Sequence, residues 1–270
     1  MSSAKKLIID AAVLNRDTLE NYFQSYTHYI ENHTAWLIRQ KLKKLRSIFQ
    51  LLEPHLKTGK KFKSAFALVF DTLGNYRDAQ QMFIYAENHL THDTPDNLIM
   101  QILKKEIEES HKKLSELLKS PVPSELIRRL DIYILKIKSL PRKSVEKLEQ
   151  SYLKRRYNNI LRSIKKEQEL ENMTLHKCRI LLKQIINLMK ITDIKFGYKK
   201  ISLKLKELEQ IDKELGTWHD LVVLLSHFKA LQNTFNEPKQ KEQFHAFIRS
   251  VEDEERRYYQ SALDALGLMG

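Results

Sequence analysis

The hexapeptide LGNYRD occupies residues 73–78, and a near copy, LGTWHD, occupies residues 215–220. Both carry Leu-Gly, two variable positions, a basic residue and Asp. The chain has only six glycines, and these two hexapeptides place Gly74 and Gly216 142 residues apart in a chain of 270. Read locally, each glycine follows an apolar helix and is suited to the left-handed conformation just past a helix end. Asn75 and Thr217 then suit a new N-cap, with Asp78 and Asp220 placed to favour the first turn that follows. The local reading is a stop and a restart between two helices. It leaves Arg77 and His219 unexplained, because a cation is unfavourable near a helix N-terminus unless an anion lies there. Anion contact and a simple ion pair with a neighbouring acid are both open for these two residues.

Around these hexapeptides, helical periodicity covers most of the chain and strand-like alternation almost none of it. The expected helices run over 18–53, 61–73, 77–90, 95–119, 143–168, 174–190, 197–215, 218–231 and 238–266. Pro54, Gly74 and Gly216 serve as stops, and Pro121, Pro123 and Pro141 mark a break between two halves, 1–120 and 121–270. Six Gly and six Pro are few breakers for this length, which agrees with long helices. Upstream of each hexapeptide lies a basic amphipathic helix, WLIRQKLKKLR at 36–46 and HKCRILLKQII at 176–186. Trp36 and His176 are 140 residues apart, close to the glycine offset, so an internal duplication is expected.

At about 100° per residue, Arg39, Lys43 and Arg46 share one helix face, with Ile38, Leu42, Leu45, Phe49 and Leu52 on a separate apolar stripe. His176, Arg179, Lys183 and Lys190 repeat the arrangement beside Leu175, Leu182, Ile186 and Met189. Neither stripe meets an acid on its own helix before Glu53 and Asp193, whereas an ordinary exposed helix intersperses Glu with Lys. Like charges in a row cost stability, so a bound polyanion is the expected compensator. A partner anion would also raise the protonated fraction of His176. The balance of 47 Lys and Arg against 34 Asp and Glu, a formal +13, favours polyanionic partners in general.

These residues resemble the CHAD family, named for conserved histidines in an all-helical domain. Its tandem motif is close to H-x-x-R-x-x-x-K/R-K/R-x-R/K on one helix, each copy followed by an LG corner with a basic residue and Asp. The second copy here keeps His176, Arg179 and Lys183; the first keeps Arg39, Lys43, Lys44 and Arg46. The likeness spans about residues 20 to 265. It implies an all-α fold of two pseudo-symmetric four-helix bundles around a basic groove or pore, and binding of inorganic polyphosphate without catalysis or cofactor. It departs from the family at Trp36, where His33 one turn earlier is a substitute, and at Ile186 and Asn187, where the family has a basic and an aromatic residue. Arg155, Arg156 and Arg162, in YLKRRYNNILRSIKK, either extend the groove or solvate the bundle, as do Lys165 and Lys166.

Other chemistries find little support. Cys178 is the only cysteine, which excludes an internal disulfide and a cysteine zinc cluster. There is no Gly-rich phosphate loop and no G-x-S-x-G element. Two E-x-x-H pairs, Glu108 with His111 and Glu242 with His245, lie in charged stretches that argue against a metal site. No apolar run is long enough to span a membrane and the start does not read as a secretory signal, so a cytoplasmic location is expected, with polyphosphate granules as a place of association. The competing readings are an RNA- or DNA-binding helical protein and a scaffold for an acidic protein partner. Trp36 and Trp218 are the candidate stacking platforms for a nucleic acid.

Overall fold

The computed structural model describes residues 3–25, 32–90, 96–166, 172–192, 205–235, 237–267 and 269. Among them are nine α-helices, one 3-10 turn and no strand: α1 Ala4–Gln24, α2 Asn32–Leu56, α3 Lys60–His89, α4 Asp96–Lys119, α5 Val122–Ser139, α6 Arg142–Lys166, α7 Asn172–Thr192, α8 Leu205–Leu231, the turn Gln232–Thr234 and α9 Pro238–Gly267. The all-α expectation holds. No helix of the described residues is long and apolar enough to cross a membrane.

The residues group into two compact units. One gathers Met1–Tyr85, Gln101–Tyr152 and Lys190–Ile194; the other gathers Ala86–Met100, Leu153–Met189 and Lys195–Gly270. Each unit thus draws on residues from both sides of the Ser120–Pro123 break.

In the first unit, α1 packs on α2 and α5. Ser3 caps α1, its Oγ accepting from the Lys6 amide at 3.3 Å. Ile8, Ala12 and Leu19 recur at helical spacing and are fully buried. Arg16 holds the α1–α5 pair from its flank, Nε standing 2.7 Å from an Asp131 carboxylate oxygen. An aromatic cluster closes the far end: Phe49 and Phe62 meet edge to face at 5.2 Å, and Tyr133 sits 4.8 Å from Phe62. The Tyr133 hydroxyl accepts from the Gly59 amide at 2.9 Å, so the turn between α2 and α3 is tied to α5.

In the second unit, α8 packs along α9. Phe228, Phe235, Phe244 and Phe247 form its aromatic core, with Phe228 and Phe247 5.0 Å apart and Phe235 and Phe244 4.5 Å apart. Trp218 is buried, and its indole N–H donates to Glu255 of α9 at 2.8 Å. The Tyr157 hydroxyl of α6 donates to the Met269 carbonyl at 2.9 Å.

Several expected boundaries are corrected. The helix expected over 18–53 is two helices, α1 and α2, with α1 ending at Gln24. Pro54 does not stop α2, which continues to Leu56. Proline deprives the helix of one donor, but within the last turn that loss affects a single carbonyl. The stop comes at Lys57, whose φ of 47° is left-handed, and Glu53 accepts from the Thr58 amide at 3.3 Å just beyond. Gly74 and Gly216 are not corners. Each lies inside one continuous helix, α3 or α8, and neither has a positive φ. The expected starts at Pro95 and Gly197, and the acid Asp193, lie outside the described residues.

Candidate anion-binding site

The apolar stripes of the two basic helices bury as their spacing requires. On α2, Ile38, Leu42, Leu45, Phe49 and Leu52 are at most 5% exposed, and on α7 the same holds for Leu175, Leu182, Ile186 and Met189. Burying these faces turns the adjacent cations toward the neighbouring helix that carries the hexapeptide.

In the first unit, Arg39 lies across α3 at Gly74. A Cβ added at Gly74 would stand 3.1 Å from Arg39 Cζ and closer still to Nη1. Arg39 Nη1 donates to the Phe70 carbonyl at 2.9 Å, and the guanidinium carbon stands 4.4 Å from the centre of the Phe70 ring. Gly74 is therefore a seat for an arginine, and the missing side chain is what admits it. Burial pulls Arg39 below its ordinary pKa; Asp78 is the leading charge acting the other way, and Arg77 adds to the lowering. Arg77 itself stands 3.7 Å from Asp78.

The second unit repeats these relations. A Cβ at Gly216 would stand 3.7 Å from Arg179 Nη2. Arg179 lies 3.6 Å from Asp220, and the same carboxylate oxygen is 3.6 Å from His219 Nδ1. His176 stacks on His219 with ring centres 4.5 Å apart. Lys183 reaches Asp212 at 3.9 Å. Burial holds His176 below its ordinary pKa, and the charges of His219 and Arg179 push the same way.

Two corrections follow. Asp78 and Asp220 do not answer N-caps, because the helices do not restart there; they lie beside the arginines of the basic helices. The stripes are likewise not wholly without acids, since α3 and α8 supply from the side what α2 and α7 lack along their own length. Arg77 Nη1 and His219 Nδ1 each stand within 3.7 Å of the adjacent Asp carboxylate. Each unit therefore brings together an Arg, a Gly, a second basic residue and an Asp, with the Arg seated more closely on the Gly in the first.

The charge balance differs further along the same helices. Lys44 is held below its ordinary pKa by burial first, then by the charges of Lys41 and Lys190. Lys190 of α7 and Lys44 of α2 belong to one unit. Periodicity alone puts Lys190 on the His176 face and does not single out Lys41. Arg46 is exposed and stands 5.5 Å from the Phe70 ring, and Lys43 is half-buried. His33 is exposed and stacks on Trp36 at 5.7 Å, itself 42% exposed. Trp218, in contrast, is 1% exposed and offers no platform. Ile186 belongs to the core, and a charge there would have been buried.

Of the arginines on α6, Arg155 is exposed, whereas Arg156 and Arg162 line an open cleft against α7. His111 packs on Tyr76 at 5.5 Å, while Glu108, Glu242 and His245 are exposed. No group of three metal-ligating side chains occurs among the described residues.

The CHAD domain profile matches residues 37–229, well over half of the chain. The chain belongs to the CHAD family. Among solved structures, the CHAD domain from the plant Ricinus communis aligns with a TM-score of 0.80 at 15% identity, covering 98% of this chain and 92% of that one. PptA from Streptomyces chartreusis aligns with a TM-score of 0.71 at 12% identity, covering 97% and 100%. At these identities the likeness speaks for the CHAD fold alone. A search of curated protein sequences returned no match.

Proposed function

We propose that this CHAD protein is a non-catalytic module that binds inorganic polyphosphate through the cations of α2 and α7. The observation that carries the reading is the Lys41, Lys44 and Lys190 cluster. There burial first, and then repulsion by the two neighbours, lowers the Lys44 pKa. Concentrating like charge around a partly buried lysine costs folding stability unless an anion returns it. Membership of the CHAD family supports polyphosphate as that anion. A linear chain of phosphates carries no bases, so point charges suffice to recognise it.

Lys43, Lys44, Arg46 and Lys190 are assigned direct contact, while Arg39 and Arg179 anchor the two helices. Arg77 in the first unit, and His176, Lys183 and His219 in the second, are further candidate contacts. The repeated relation of Arg, Gly, basic residue and Asp is read as the trace of an internal duplication. A second reading, nucleic-acid binding, draws on one observation, the exposed Trp36 with His33 stacked on it.

The test is a competition between long-chain polyphosphate and single-stranded nucleic acid at matched charge over several salt concentrations. Polyphosphate is expected to bind more tightly, with affinity falling steeply as salt rises. The variant K43Q/K44Q/R46Q/K190Q, which spares Arg39, should weaken binding and flatten the salt dependence. The log–log slope should fall by about 0.7 for each phosphate ion pair removed. Equal or tighter binding of the nucleic acid would sink the polyphosphate reading. Unchanged affinity in the variant would show that the wrong surface has been assigned.

A further inference from the structure

A cleft of about 850 Å³ opens between α6 and α7 within the second unit. Arg156, Arg162 and Lys165 of α6 face Lys177 of α7 across it, and its other lining residues are Asn159, Ser163, Thr174, Ile180, Leu181 and Gln184. Among the described residues, four cations line the cleft and no Asp or Glu does. The volume falls within the range of about 300–1,000 Å³ found for small-molecule sites.

The cleft is separate from the His176 stripe. At about 100° per residue, Lys177, Ile180, Leu181 and Gln184 centre about 120° around α7 from His176, Arg179 and Lys183. The buried Cys178, Leu182 and Ile185 take up the remaining face. So α7 shows three faces: a core face, a stripe whose Arg179 and Lys183 stand near the acids of α8, and a cleft face opposite the cations of α6.

The chemistry of the lining also differs. Ile180 is 42% exposed, and it sits among the cations with the carboxamides of Asn159 and Gln184 nearby. Charged donors beside apolar surface and amides suit a short run of phosphates, whether free or attached to an organic group. We propose that this cleft is a second anion site, taking a short oligophosphate such as a triphosphate. The site is independent of the stripes on α2 and α7 and does not rest on their reading.

Calorimetric titration of the full chain with tripolyphosphate and with ATP tests this. The exposed side chains make R162Q/K165Q/K177Q a safe variant for folding, and a melting curve checks it. Both probes are expected to weaken by about tenfold or more in that variant. In K43Q/K44Q/R46Q/K190Q, a saturable class of sites for the same probes should persist unchanged. Ile180→Ala separates the two sources of phosphate. Selective weakening of ATP assigns the apolar surface to a nucleoside, whereas no change for either probe assigns the cleft to free oligophosphate. The proposal is overturned if neither probe binds the wild type, or if R162Q/K165Q/K177Q binds both within twofold of it. Absence of long-chain binding in the wild type would sink the stripe reading and leave the cleft standing.

Discussion

Gly74 and Gly216 occupy the same position in two near-identical hexapeptides, yet alanine should act on them with opposite sign. In a helix interior, Ala is favoured over Gly by about 1 kcal/mol, and Gly216→Ala should gain most of that. Its Cβ would meet Arg179 Nη2 at 3.7 Å, an ordinary contact. At Gly74 the new methyl would stand 3.1 Å from Arg39 Cζ, inside contact distance, and the guanidinium must leave. Leaving forfeits the 2.9 Å bond to the Phe70 carbonyl and the position over the Phe70 ring. Such a charged hydrogen bond contributes about 1.5–3 kcal/mol and the ring contact about 0.5–1. Rehydration of the released guanidinium returns part of this, since burial disfavours Arg39 where it lies. Set against the propensity gain, Gly74→Ala should lose about 1 kcal/mol net, and the two variants should differ by about 2. In a chain of this length, that separation is about 4–8 °C in melting temperature. Thermal unfolding of both variants under one buffer decides it. Shifts of the same sign and similar size would refute the idea that Gly74 exists to seat an arginine.

Three further outcomes follow from the second unit. Burial, His219 and Arg179 hold His176 below its ordinary 6.5, so a bound anion that raises it must be accompanied by proton uptake. Polyanion affinity should therefore rise as pH falls from about 7.5 to 5.5 and level once the pH is below the lowered value, and His176→Gln should flatten the profile. Without ligand the sign reverses: the His176 contribution to stability is complete above 6.5 and is lost as pH falls from there toward the lowered value, which urea titration at a series of pH values would read. Trp218→Phe removes the 2.8 Å bond to Glu255 from a buried site and should cost about 2 kcal/mol in urea unfolding, whereas Glu255→Gln keeps an acceptor and should cost far less. Equal losses would mean that the indole bond is not what stabilises the α8–α9 pair.

The apolar stripes on α2 and α7 are legible in the sequence because core burial imposes a period on the chain, and the period survives in the letters. The hexapeptides mislead because their meaning lies on another helix. A glycine that admits Arg39 and a glycine that ends a helix have the same neighbours in sequence. Asp78 and Asp220 likewise fit an N-cap pattern, while the charges they compensate are Arg39 and Arg179, in each case about 40 residues upstream. Grouping Lys190 with Lys44 requires two helices to be placed, and so does the α6–α7 cleft. No periodicity on a single helix encodes either. Pro54 misleads for a different reason, since a rule for helix interiors does not govern a last turn.

Trp36 and Trp218 are the only two tryptophans, and their surroundings divide the chain's intrinsic fluorescence into two channels. Trp218 is enclosed and bonded to Glu255, so its emission follows the integrity of the α8–α9 pair. Trp36 is 42% exposed and stands three residues before Arg39 on the rim of the basic face of α2. Emission from Trp36 should be red-shifted and open to iodide, and a polyanion laid along that face would shield it from the quencher. The same unlabelled sample thus carries one optical probe for folding and another for occupancy, and Trp218→Phe isolates the second.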